Sequence, residues 1–329
     1  MIDIAIIGFG SVGQGVAYQL MEKAEKLKEL IGNYRIVAVA DSKGSVVDEH
    51  GLDITDVIKK KQKGNLKGKT AIEVIESVDF DIAIEVTTTN VSDGEPGLTY
   101  IRRCFEKGAN VITSNKGPLV VAFKELNQLA TKKDLKFMYE ATVGGAMPLI
   151  KLVKNELAGN EIFFIKGILN GTCNYILSRM EKEKMTYSQV LAEAQELKIA
   201  EADPTYDVEG VDAAAKLVIL ANATMDMDAR FTDVEITGIT QITPEAFEVA
   251  NYRNYTIRLI AEVNRERETL KVSPRLVPLY HPLAIRGTMN AALIKTDLAG
   301  EVVIMGKGAG KNETASAIIS DLVEIYRRC

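Results

Sequence analysis

The opening residues constrain the fold of this chain more than any other stretch. "IDIAIIGFGSVG" (2–13) sets a short isoleucine-rich run directly against three glycines in a G-x-G-x-x-G spacing, and "QGVAYQL" continues it with helical periodicity. So short and apolar a run reads as a strand buried on both faces, the habit of parallel sheets. A glycine turn between such a strand and a helix suits phosphate. Gly8 allows the tight turn, Gly10 lets the backbone approach a pyrophosphate, and Gly13 lets helix and strand pack closely, with the helix N-terminus facing the anion. Phe9, Ser11 and Val12 complete this candidate dinucleotide-binding turn. The glycine spacing alone would say little; the strand before it and the helix after it make it informative.

The same alternation continues. "YRIVAVAD" (34–41), "FDIAIEVTT" (80–88), "NVITSNK" (110–116) and "LKFMYEATV" (135–143) read as further strands, with one long helix expected over 13–32. Strand–helix–strand repeats imply α/β architecture, here a Rossmann-type doubly wound parallel sheet. In such sheets ligands bind beyond the carboxyl ends of the strands. Polar residues stand there: Asp41, placed to take a ribose 2′-hydroxyl, then Thr87 and Thr88, then Ser114, Asn115 and Lys116. Lys43, two residues after Asp41, is close enough to accept a 2′-phosphate, so NAD and NADP both remain open.

The pattern changes after residue 150. Strands are expected at 161–170, 255–264, 269–279 and 301–310, and helices at 173–183, 188–201, 211–224 and 311–328. This is an α+β unit with a mixed or antiparallel sheet, and 329 residues suit two domains. Before its third helix stands "EADPTYDVEGVDAAAK" (201–216), with five carboxylates ahead of one lysine. Asp212 and Lys216 are four apart and share a helix face; on a surface such a pair contributes about 0.2–0.5 kcal/mol. Lys216 is also the one charge in "AAAKLVILAN" (213–222), which argues for burial. An adjacent carboxylate favours the ammonium form and burial opposes it, and spacing does not decide between them. In "NGTCNY" (170–175), Gly171 and Thr172 offer backbone and hydroxyl contacts at a strand-to-helix turn.

These segments, with "EATVGGAMPLI" (140–150) and "GILNGTCNYIL" (167–177), make the chain resemble homoserine dehydrogenases over nearly its whole length. The resemblance implies reversible NAD(P)H-dependent reduction of L-aspartate 4-semialdehyde to L-homoserine, a step toward threonine and methionine. It implies Lys216 as proton donor with Asp212 beside it, Lys116 near the nicotinamide, and Glu201 and Asp207 on the substrate. Glu201 is the choice for the substrate ammonium; Asp203 suits a turn before Pro204. Gly306 and Gly308 of "GKGAG" fall on the cofactor side. A monovalent-cation loop, for sodium, would draw on backbone carbonyls of Glu140, Val143, Gly145 and Met147. The resemblance also implies a homodimer and a discontinuous nucleotide domain, residues 1–140 completed by 306–329, around a catalytic and dimerisation domain at 141–305. Longer family members add a regulatory domain that this sequence does not show, which puts control by threonine in doubt.

Composition narrows the alternatives. A net charge of −5 argues against nucleic acid, and the lysine-rich stretch 59–69 reads as a solvated helix end. No apolar run approaches the roughly 18 residues of a membrane span, and no leader pattern opens the chain. Cys104, Cys173 and Cys329 have neither paired nor metal-ligand spacing, so a reduced cytoplasmic enzyme is expected. With only His50 and His281, a multi-histidine metal site is not expected. Two rival readings stand: a cysteine-dependent semialdehyde dehydrogenase using Cys173, and a dinucleotide sensor without catalysis.

Overall fold

The computed structural model describes residues 1–64 and 66–327; Cys329 and the last residue of the expected terminal helix lie outside the described residues. The chain divides into two compact units, Met1–Thr142 with the chain from Gly310 onward, and Val143–Ala309.

In the first unit the strands are β1 (Ile2–Ile7), β2 (Tyr34–Asp41), β3 (Gly44–Val47), β4 (Ile82–Glu85), β5 (Asn110–Thr113) and β6 (Phe137–Met138). Their spatial order is β3-β2-β1-β4-β5-β6, all parallel except β3, which folds back on β2. Helices α1 (Ser11–Glu22), α2 (Ala24–Ile31), α3 (Ile54–Gln62), α4 (Ala71–Ser77), α5 (Gly97–Lys107) and α6 (Lys116–Lys132) connect them. The single helix expected over 13–32 is two: the chain leaves helical geometry at Lys23, and α2 then buries Leu27 and Ile31. The expected strand at 135–143 shrinks to two residues. The amide and hydroxyl of Thr142 both donate to the Tyr139 carbonyl oxygen, at 3.1 and 2.6 Å, and close a turn instead. The C-terminal helix, Lys311–Tyr326, packs on α1 and sends Ala315, Ile318 and Leu322 into the same core as Ile4, Ile6 and Val16.

The second unit holds β7 (Ile162–Ile168), β8 (Val234–Ile236), β9 (Tyr255–Asn264), β10 (Thr269–Pro278), β11 (Met289–Thr296) and β12 (Glu301–Lys307), in the order β12-β11-β7-β9-β10-β8. Only β8 runs parallel to its neighbour, so the sheet is mixed. Strand β11 has no counterpart among the expected strands, because "MNAALIKT" carries two alanines and a leucine, which favour helix locally. Its place between β7 and β12 buries both faces and overrides that preference. The helices Gly171–Glu183, Tyr187–Glu196 and Val211–Met225 lie in this unit. The last of these is buried along nearly its whole length, from Asp212 to Asn222.

Candidate active site

Two sets of polar groups stand out, one in each unit. In the first, β1 ends at Ile7 and the chain turns at Gly8 with φ +101°, a left-handed backbone that glycine tolerates and a side chain does not. A Cβ there would lie 2.6 Å from the Val86 carbonyl, and one on Gly13 would lie 2.0 Å from the Gly8 oxygen. Gly10 differs: a Cβ there would meet nothing within 4 Å. Among the described residues nothing beyond its chain neighbours fills that position, which leaves room for a ligand. Helix α1 begins after Gly10 with no side chain capping it, and its first turn carries no acid. Its first amides, from Ser11 and Val12 onward, therefore remain free to bind an anion.

A cavity of ≈ 240 Å³ opens at this turn, lined by Gly8, Phe9, Gly10, Asp41, Thr87 and Thr88 among others. The Asp41 carboxylate accepts the Lys43 amide at 2.7 Å and is ion-paired with Lys61, which also lines the cavity. Lys61 belongs to the stretch 59–69 that reads from sequence as a solvated helix end; among the lysines ending α3 it departs from that reading, because Asp41 draws it to the cavity. Across the sheet, a residue that sequence reasoning did not single out organises the ends of β4 and β5. Glu85, 1% exposed, accepts from the Thr87 amide (2.9 Å), the Thr87 hydroxyl, the Thr113 hydroxyl (2.7 Å) and Asn115 Nδ2 (3.3 Å). Asn115 Nδ2 also reaches the Thr88 carbonyl, and its Oδ1 caps α6. Ser114 donates its amide to the Glu85 carbonyl, and Lys116, half-buried, opens α6. A carboxylate ending an otherwise apolar strand was the available signal. The uncovered backbone at Gly10, the open helix start and the Asp41 acceptor fit a dinucleotide.

In the second unit, the segment after β7 and the helix Val211–Met225 converge. Lys216 is 7% exposed and Asp212 6% exposed, which rules out the surface-pair reading. Lys216 Nζ donates to Asp212 Oδ2 at 2.6 Å and to the Leu169 carbonyl at 2.7 Å. Asn170 Nδ2 bridges two acids, Asp207 Oδ1 at 2.7 Å and Asp212 Oδ2 at 2.8 Å, while its Oδ1 caps the helix at Gly171 by accepting the Cys173 amide. Burial, and then the charge of Asp212, push the Asp207 carboxyl upward, opposed by Asn170, Lys216 and Thr172. Tyr206, whose buried hydroxyl has no hydrogen-bond partner among the described residues, is raised by burial, Asp212 and Asp207. Asn170 and Tyr206 were not foreseen; neither residue type announces itself in a loop.

Gly171 and Thr172 adjoin this cluster, and other expected residues do not join it. Glu201 is exposed, and its side chain makes no hydrogen bond to the Lys216 cluster, while Asp203 accepts the Thr205 amide at 3.1 Å as a turn residue. Thr172 is half-buried, its hydroxyl on the Ile199 carbonyl. Gly171 packs tightly: a Cβ there would lie 2.7 Å from the Thr288 oxygen. Gly306 and Gly308 lie in the second unit, where a Cβ would strike Met147 (2.8 Å) and the Asn290 amide (1.9 Å) respectively. Of the expected cation segment, Glu140 belongs to the first unit, and Val143, Gly145 and Met147 to the second. Gly145 has φ +56°, and the Met147 carbonyl accepts the Leu149 amide at 2.8 Å. Among the described residues no group of three or more His, Cys, Asp or Glu side chains is arranged to hold a metal. The Cys173 thiol donates to the Asp207 carbonyl at 3.1 Å, and burial with the acids around it holds its pKa well above the ordinary value. That is the opposite of an activated nucleophile.

A dinucleotide turn on a doubly wound sheet, with a buried lysine–carboxylate pair on a second unit, defines the class of an NAD(P)-dependent oxidoreductase acting on a CH–OH group. Residues 148–323 match the family model described as homoserine dehydrogenase, and residues 8–140 the model described as homoserine dehydrogenase, NAD binding domain. The chain belongs to the homoserine dehydrogenase family. It is 49% identical to a homoserine dehydrogenase of Methanocaldococcus jannaschii, over 99% of this chain and 98% of that one. It is 38% identical to an NAD(+)-dependent homoserine dehydrogenase of Pseudomonas canavaninivorans, over 98% and 96%. A hyperthermophilic archaeal homoserine dehydrogenase in complex with NADPH superposes with a TM-score of 0.84 at 28% identity, covering 98% of this chain and 97% of that one.

Proposed function

We propose that the protein interconverts L-aspartate 4-semialdehyde and L-homoserine with NAD(P)H, in the biosynthesis of threonine and methionine. The observation that carries this reading is the buried Lys216–Asp212 pair, anchored by Leu169 and Asn170. The bound nicotinamide supplies or takes the hydride. The chain's own task is then to orient the carbonyl and to give its oxygen a proton. Lys216 Nζ carries three donors, two of which are engaged. The third is free to polarise and protonate the substrate oxygen. Asp212 holds the amine in place, and Asn170 fixes Asp212 from the other side. Asp207 and the exposed Glu201 supply negative charge for the substrate's α-ammonium, while Gly171 and Thr172 shape the turn beside it. Lys116, at the start of α6, serves the nicotinamide end.

At the other end of the cofactor, Asp41 takes the ribose hydroxyls and favours NAD, whereas Lys61 offsets its charge and keeps a 2′-phosphate tolerable. Gly306 and Gly308 act through packing that shapes the loop beside them. The backbone around Gly145 is offered as the sodium loop. Exposed apolar side chains on and just after the second sheet's strands, Leu276, Leu279, Tyr280, Val303 and Met305, support a homodimer through that sheet. The unpaired, buried Cys104 and Cys173 suit a reducing cytoplasm, and among the described residues no helix is long and apolar enough to cross a membrane.

The test follows absorbance at 340 nm with homoserine and NAD+ or NADP+ in turn. Turnover with at least one cofactor, with Lys216→Ala inactive yet still binding cofactor, is the expected result. Absence of turnover with both would refute the reading.

A further inference from the structure

We propose that Glu85 is an uncompensated buried carboxylate whose charge stabilises the oxidised, positively charged nicotinamide at the carboxyl edge of the first sheet. The inference rests on the NAD(P) reading of the first unit and goes beyond it.

Position comes first. Glu85 ends β4 and pairs in register with Ile7, the residue before the glycine turn. The strand order runs outward in opposite directions from β1 and β4, which is where such sheets take their ligands. Asp41 marks the β2 side as that of the adenosine ribose. The other half of a dinucleotide then falls on the β4–β5 side, where Glu85 ties Thr87, Thr113 and Asn115 together.

The chemistry of the site is unusual. A carboxylate 1% exposed needs compensation, most often a cation. Glu85 has four donors, all neutral, and no salt bridge involving it is found among the described residues. Its hydrogen-bonding capacity is met, but its charge is not cancelled. Its field reaches the cavity wall. The Tyr100 phenol, which lines the cavity, is pushed up by burial and next by Glu85. A fixed negative charge discriminates between the two states of the cofactor, because the oxidised ring carries a positive charge that the reduced ring lacks. The network that positions Thr87 and Asn115 thereby also biases the enzyme toward holding the oxidised form.

The test measures dissociation constants for NAD+ by calorimetry and for NADH by fluorescence, in the full-length wild type, Glu85→Gln and Thr113→Val. Glu85→Gln is expected to weaken NAD+ roughly tenfold more than NADH, the scale of one unit charge at about 10 Å with an effective dielectric constant near 20. Thr113→Val removes one donor and keeps the charge, so both affinities are expected to fall together. A ratio in Glu85→Gln within twofold of wild type overturns the proposal. Should that variant not fold, Glu85→Met, neutral and of similar length, carries the same test: NAD+ should weaken about tenfold more than NADH, and a ratio within twofold of wild type overturns the proposal. Wild type that binds neither form overturns the NAD(P) reading as well, whereas binding with an unchanged ratio overturns the charge role alone.

Discussion

Removing one partner of the Lys216–Asp212 pair separates its structural and chemical roles. In Asp212→Asn the lysine amine stays buried with the Leu169 carbonyl and a neutral amide in contact, and Asp207 is the acid left nearby. Breaking a buried ion pair in this way costs about 3–5 kcal/mol. For a unit the size of Val143–Ala309, one kcal/mol lowers Tm by about 2–4 °C, so a cost near 3 kcal/mol corresponds to a fall of about 6–12 °C. The double variant Asp212→Asn, Lys216→Met replaces the pair by an amide and an apolar chain of similar volume. Such replacements are often neutral for stability, so its Tm should return to within about 3 °C of wild type. Turnover should not return. Loss of a positioned general acid costs about 10²–10⁴ in rate. Scanning calorimetry and the 340 nm assay on the three proteins give both readouts. Asp212→Asn melting within 1 °C of wild type would show that the pair is not coupled in the interior. A double variant with more than a tenth of normal turnover would end the role of Lys216 as proton donor.

Three further outcomes are expected from the geometry. Gly10→Ala should leave Tm unchanged, since its Cβ meets nothing, yet weaken cofactor binding severalfold, whereas Gly13→Ala should lower Tm because its Cβ strikes the Gly8 carbonyl; thermal melts with and without NAD+ distinguish them, and equal melting of the two apo variants would contradict the packing. The folded state holds the Asp207 carboxyl above its unfolded value, so ionised Asp207 opposes folding at neutral pH, and this penalty disappears as pH falls through the raised folded pKa. Asp207→Asn should therefore melt above wild type at pH 7, with a gap that narrows on acidification, while raising KM for homoserine; a gap that widens at low pH would reverse the sign. Cys173→Ala should keep most turnover, because the thiol is buried, protonated and bonded to a backbone carbonyl; near-complete loss would revive a cysteine mechanism.

Much of the first unit was legible because a parallel strand buried on both faces needs an unbroken apolar run, and "IDIAII" and "YRIVAVAD" supply one each. Ends were less legible. The run at 80–88 suggested a strand through Thr88, but β4 stops at Glu85, whose carboxylate pulls the Thr87 amide and hydroxyl back onto itself. The run at 110–116 stops at Thr113 for a related reason, as Asn115 turns to cap α6. Side chains that bond the backbone locally compete with the strand ladder, and their effect depends on a partner thirty residues away. β11 was illegible for the opposite reason: its local preference is helical and only its two neighbours make it a strand.

The candidate site divides along the same physical line. A charge in an apolar run can be read from sequence, because the run must be buried and the charge goes with it; Lys216 within "AAAKLVILAN" was found that way. What satisfies a buried charge cannot be read so directly. The partners of Lys216 are Asp212, one helical turn away, and the Leu169 carbonyl, 47 residues away, while Asp212 is steadied by Asn170 from the same distant turn. Helical spacing revealed the first partner and nothing local revealed the others. Glu85 obeys the same rule and was passed over because the run at 80–88 placed it inside a strand, with Thr87 and Thr88 as the polar end. Its neighbours in the chain make the difference: Glu85 is succeeded by a valine and three threonines, short side chains that cannot carry it out to water, and the next apolar strand ends in a threonine that bonds it. A charge that ends an apolar run and is succeeded by short side chains is therefore the sequence feature to examine for an interior functional group. In this chain it marks a carboxylate at the end of β4, as an apolar helix marks the lysine in the second unit.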